Sequence, residues 1–275
     1  MSMIKKWEEK FPILFSIAVL VLFDVVTGVI GWIIAGLVTI DGYYLQLAAS
    51  ELLGAIAAAV LLILSGRGKT VFKSRKGFFK SLFVGMYEIV LIALAFFGVV
   101  AQNLSESLEP IGNIVIFTVC MLLVGIAEEV LFRGLITDCI LEKYGRDRKG
   151  VILAVAVSGL IFGSAHLINI FLEDTTLAGV FIQVCQTAIL GMFFGAVYMR
   201  THNIFAVIFL HAAMDFVTLS ASGLWGSGTV ESTIGELGAM NLISVLVYLI
   251  PTIFIMRFSK LDEYLAERDN IKEST

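Results

Sequence analysis

Charge, cysteine and histidine are all scarce in this sequence, and each shortage removes a class of protein. Charged residues make up 15% of the 275, where a soluble domain carries about a quarter. So few polar groups cannot coat a soluble globule of this length. Disorder is excluded too: 59% of residues are hydrophobic and the mean hydropathy is +0.95, far too apolar to stay unfolded in water. There is no surplus of positive charge, with 19 basic against 23 acidic residues, so no electrostatic footprint for nucleic acid. The cysteines are Cys120, Cys139 and Cys185. An odd number in apolar stretches, without metal-site spacing, makes neither a disulfide framework nor a thiolate zinc site, and they read as packing residues. A Gly-rich phosphate loop is also missing. What remains is a polytopic membrane protein.

Apolar windows of about 20 residues predict about eight spans, near residues 12–39, 43–65, 79–101, 112–132, 150–169, 177–199, 203–221 and 241–258. Lys5, Lys6 and Lys10 precede the first run. No small-residue cleavage site follows a short apolar core, so the run reads as a retained helix and not as a signal peptide. Basic residues then fall in every second connection: Arg67 to Lys80, Lys143 to Lys149, Arg200, and Arg257 with Lys260. The alternate connections carry Asp41, Glu106 with Glu109, Glu173 with Asp174, and Glu231 with Glu236. The positive-inside rule places both termini in the cytoplasm. The expectation is an all-α polytopic membrane helix bundle, N-in and C-in, forming one integral-membrane domain over 1–275. The tail after Lys260 is expected to be a solvated, charged helix. The compact loops suggest a prokaryotic plasma membrane.

Ionisable groups inside spans are costly and therefore point to function. Asp24, Glu51 and Glu88 occur singly and read as helix–helix hydrogen-bonding or interface groups. The fourth span is richer, with Glu128-Glu129 followed by Phe132-Arg133-Gly134. Glu129 and Arg133 share a helix face. Glu128 is turned about 100° away and lacks that cation, which suits a general base. A purely structural Glu–Arg clamp explains the pattern equally well. Two of the three histidines lie in spans: His166, four after Phe162, and His211, four before Asp215. His202 falls in a short basic loop and reads as solvated. Counted from the loop at Lys143 to Lys149, Glu128 and His166 reach similar depth and can face each other. His211 lies only about 12 Å of helix past Asn203 and reads as shallower.

Glu128-Glu129-x-x-x-Arg133, Phe162-x-x-x-His166 and His211-x-x-x-Asp215 together resemble the three motifs of the CPBP intramembrane proteases. This is the CAAX-protease, bacteriocin-processing or Abi family, which includes Rce1-like enzymes. The motif region spans about 111–219. The resemblance implies hydrolysis of a peptide bond in a hydrophobic or lipidated peptide, within or near the lipid bilayer. By that analogy Glu128 activates water with His166, while His211 and Asp215 stabilise the oxyanion or join a metal site. Glu129 and Arg133 hold the helix in register. The third motif often ends in asparagine, which donates a hydrogen bond; an ionised aspartate only accepts. The family is described both as metalloprotease and as a metal-free glutamate enzyme. Glu128, His166, His211 and Asp215 are the candidates for a divalent ion such as zinc, although HExxH is absent. The metal-optional route is the favoured expectation. The rivals are a non-catalytic immunity or regulatory scaffold of the same fold and a proton-coupled transporter. A serine protease is disfavoured, because Ser164 and His166 do not face each other on a helix and no nucleophile elbow occurs. Gly159-x-x-x-Gly163 and Gly191-x-x-x-Gly195 predict close helix packing within the chain.

Overall fold

The computed structural model describes residues 3–37 and 42–273; Asp41, counted above among the acidic connections, lies outside them. Every regular element among the described residues is helical. The chain opens with α1 (Met3–Lys10), α2 (Pro12–Leu37), α3 (Tyr43–Leu64) and a single turn, α4 (Gly68–Val71). Next, α5 (Phe78–Val84) and α6 (Met86–Gln102) meet at a 76° bend. α7 (Ile111–Glu129) continues through a π-helical stretch, Val130–Thr137, into α8 (Asp138–Tyr144). α9 (Arg148–Ala165) ends in a 3₁₀ turn, His166–Phe171, and α10 (Leu177–Thr201) packs against it. α11 (Ile204–Thr218), α12 (Ser220–Trp225), α13 (Val230–Gly235), a 3₁₀ turn at Ala239–Leu242, α14 (Ile243–Ile255) and α15 (Phe258–Glu273) complete it.

Among the described residues, five helices are long and apolar enough to cross a bilayer, and up to seven if each bent pair counts as one. All eight expected spans fall mainly on helix, residues 38–39 of the first lying outside the described residues, but three are not straight crossings. The third breaks between α5 and α6, and the eighth bends by 55° before α15. The seventh, α11, has 15 residues, about 22 Å against a hydrocarbon core of about 30 Å. Its backbone bonds are internal and much of its surface is covered by protein, including buried Ile204, Val207, Leu210 and His211. It therefore need not match the lipid thickness. Large apolar side chains face outward elsewhere, among them Phe97, Phe171 and Leu177. Such a surface belongs in lipid.

Three local expectations are corrected. The fourth span does not end near residue 132 but runs on as one helix to Tyr144. Its polar end is held because Arg67 pairs with Glu8, Asp138 and Glu142. The C-terminal helix is docked, not merely solvated. Leu261 and Tyr264 are buried in the core, and Arg268 donates to the carbonyls of Gly145 and Glu142. Spacings of three and four put these side chains on one face. His202 is half-buried rather than solvated: it caps α10 at φ 44° and its ring lies 5.0 Å from that of Tyr198. The cysteines are free, with Cys120 and Cys139 buried as packing residues.

Candidate active site

The first motif lies where α7 turns π-helical. Glu128 and Glu129 end α7, and Phe132, Arg133 and Gly134 fall inside the π stretch. Such stretches are frequent at functional sites. The expected Glu129–Arg133 pair is present and sealed: Nη1 stands 2.7 Å from Oε1, with the side chains 0% and 1% exposed. Arg133 Nη2 also donates to the Gly191 carbonyl of α10 at 3.2 Å. The guanidinium carbon lies 4.6 Å from the Phe162 ring and 5.5 Å from that of Phe194. A buried pair survives only where such extra partners offset desolvation.

Glu129 serves a second partner. The same Oε1 is 2.6 Å from His211 Nδ1. A carboxylate only accepts, so Nδ1 carries the proton and donates. Nε2 is then the nitrogen turned to Asp215 Oδ2 at 3.3 Å and Glu128 Oε2 at 3.6 Å. α11 approaches this closely because Gly125 faces it. A Cβ there would meet the Ile208 carbonyl oxygen at 2.9 Å and Ala212 Cβ at 3.1 Å. His211 therefore stands level with Glu128 and Glu129, not shallower. Depth counted from the loops misleads because the fourth helix overshoots: Glu128 to Tyr144 is about 24 Å, against about 12 Å from Asn203 to His211.

The second motif is set by the close contact of α9 and α10. A Cβ on Gly159 would strike Met192 Cγ at 2.4 Å, and one on Gly163 the Val184 carbonyl oxygen at 2.6 Å. This contact lies within the chain, as the spacing predicts. Buried Phe162 is the hub. Its ring centroid is 5.4 Å from that of His166 and 5.8 Å from that of His211, besides holding Arg133. His166 Nδ1 is 3.2 Å from the Phe162 carbonyl oxygen, an acceptor, so this nitrogen donates and leaves Nε2 as an acceptor. Among the described residues no hydrogen bond joins Glu128 to His166; the imidazole beside Glu128 is that of His211.

One cavity of about 660 Å³ gathers Glu128, His166, His211 and Asp215. Glu128 and Asp215 are 24% and 26% exposed, which makes them the motif carboxylates that reach it; Glu129 stays behind. Asp24 and Glu51 line the same cavity. Sequence reasoning set them aside as helix-contact groups, because α2 and α3 are apolar around their whole circumference and betray no inner face. Glu88 does act as a helix-contact group: it is buried and accepts from Tyr248 Oη at 3.2 Å.

Among the described residues no three His, Cys, Asp or Glu side chains are grouped to hold a metal ion. His211 Nδ1 is committed to Glu129, and Nε2 already faces two carboxylates. Glu128, His166, His211 and Asp215 as placed do not fit a metal ion.

Residues 110–217 match the family model described as type II CAAX prenyl endopeptidase Rce1-like. The matched stretch holds all three motifs. No curated protein matches the chain.

Proposed function

We propose, from the match of residues 110–217 to the Rce1-like model of type II CAAX prenyl endopeptidases, that this chain is an intramembrane endopeptidase using Glu128-activated water. The observation that supports this most is the convergence of residues from separate helices on one cavity, with His211 between Glu128, Glu129 and Asp215. The substrate is a hydrophobic or lipidated peptide, matching the apolar residues among the cavity's lining, such as Leu20, Phe23 and Met121.

In this reading Glu128 takes a proton from water, and the oxygen adds to the substrate carbonyl carbon. His166 presents Nε2 as an acceptor that orients the water. His211, protonated on both nitrogens, donates Nδ1–H to Glu129 and turns Nε2–H towards the oxyanion. Asp215 cannot donate as asparagine would, so it acts as a positioning residue through His211. When the C–N bond breaks, the proton on Glu128 passes to the leaving amine. Glu129 and Arg133 stay outside the reaction and fix the imidazole.

The test is cleavage of a farnesylated CAAX-type peptide in detergent, followed by chromatography. Glu128→Gln and His166→Ala are expected to lose at least about 10²-fold in rate while still binding the peptide. Undiminished cleavage by Glu128→Gln would overturn the reading. So would peptide-independent proton flux in liposomes that needs Glu51 but not Glu128, which would make the protein a transporter.

A further inference from the structure

The sequence holds six asparagines and four glutamines, and four of these ten carboxamides line the cavity that holds the motif residues: Asn169, Gln183, Gln186 and Asn241. None belongs to the three motifs. Asn169 Nδ2 donates to Gln183 Oε1 at 2.9 Å. That bond leaves Asn169 Oδ1 as an acceptor and Gln183 Nε2 as a donor, neither of which takes a side-chain or backbone partner among the described residues. Gln186 differs. Its Nε2 donates to Ser244 Oγ at 2.8 Å and to the Asn241 carbonyl at 3.0 Å, so it ties α10 to the start of α14.

An extended peptide inside a membrane enzyme has a specific need. Its main-chain N–H and C=O groups have lost water, and each costs free energy until it is paired. A joined Asn–Gln pair offers one acceptor and one donor side by side, which complements one main-chain N–H and one C=O. Both groups are neutral, so they select no charged ligand. Their position fits as well. His166 and Asn169 begin and continue one 3₁₀ turn, in which side chains three apart eclipse and each residue rises about 2.0 Å. Asn169 therefore lies about 6 Å along from His166, or about two residues of extended chain.

We propose that the Asn169–Gln183 pair is a main-chain subsite for an extended peptide substrate, gripping it about two residues from the scissile bond. The proposal rests on the reading of the cavity as a peptidase site. It makes peptide recognition partly independent of side-chain sequence, with apolar selection left to the cavity's other walls. Asn169 and Gln183 are positioning residues.

The experiment uses binding, so that it stands apart from catalysis. The full chain carrying Glu128→Gln is titrated in micelles against a farnesylated, fluorescein-labelled CAAX-type decapeptide, read by anisotropy. A series of probes replaces each peptide bond in turn with an ester, which removes one N–H. One ester, about two residues from the scissile bond, is expected to weaken binding about 5–10-fold. That penalty is expected to vanish in Asn169→Leu, while thermal unfolding stays unchanged. Equal affinity for every ester would overturn the proposal without needing any variant to fold. A penalty that persists in both Asn169→Leu and Gln183→Leu would overturn it too, as would failure to bind the peptide at all. A peptide that binds with the ester penalty yet is never cleaved by the unsubstituted chain would sink the Glu128 mechanism and leave the subsite standing.

Discussion

Glu129 Oε1 holds Arg133 at 2.7 Å and His211 at 2.6 Å, and the consequence is a separation of stability from chemistry. Arg133→Gln strips a cation from a sealed carboxylate and is expected to cost about 3–5 kcal/mol, visible as a lower midpoint in thermal unfolding. Replacing both charges by apolar residues of similar volume, as in Glu129→Leu with Arg133→Met, removes the unpaired charge. Much of the stability should return, but not activity, because His211 has lost the group that fixes Nδ1. A double variant that is both stable and active would show the pair to be a clamp alone. At this scale the sequence was legible where helix spacing governs. The pairs Glu129–Arg133 and His211–Asp215 follow from a separation of four. Contacts between helices were not: nothing marked Phe162 as the ring shared by Arg133, His166 and His211, and nothing turned Asp24 or Glu51 inward.

At the scale of the element, small residues decide how near the helices come. Gly125→Val would push α7 from α11 through the Ile208 carbonyl, which a Cβ alone would meet at 2.9 Å. A shift of about 1 Å is expected to lower kcat about 10²-fold, with a much smaller effect on peptide binding. Equal loss in Gly112→Val, where a Cβ meets nothing within 4 Å, would show that the effect is not local. The loop between α10 and α11 carries a pH dependence. Burial, aided by Arg75, lowers the His202 pKa below its ordinary 6.5 despite Asp138 and a backbone hydrogen bond. The folded state thus prefers the neutral ring, and the unfolded chain takes up its proton first as the pH falls. Stability is kept above about pH 6.5 and lost progressively below it. His202→Asn, which tolerates the φ of 44°, should show a shallower fall in melting temperature between pH 7 and 5. An identical slope would place the pH dependence elsewhere. The glycine spacing on α9 and α10 was readable in the sequence. The π stretch and the bend after α5 were not, since both arise from packing between elements and leave hydropathy unchanged.

For the whole molecule, the run of apolar windows located each long apolar helix among the described residues, because lipid demands internal backbone bonding and little else. What it missed lay where protein replaces lipid as the neighbour. α11 is short because other helices surround it, and α15 docks through Leu261, Tyr264 and Arg268. The alternation of basic connections leads to a topology prediction. In a background lacking native cysteines, Lys143→Cys should react with an impermeant maleimide only from the cytoplasmic side, and Glu106→Cys only from the outside. Labelling of both from one side would refute the eight-crossing order.

The most direct measurement is mass spectrometry of the products formed in proteoliposomes from a farnesylated CAAX-type peptide in H₂¹⁸O. The unsubstituted chain should place one ¹⁸O in the new C-terminal carboxylate, and Glu128→Gln, equally folded, should give no product above background. The same labelled product at the same rate from Glu128→Gln would contradict the account at its centre.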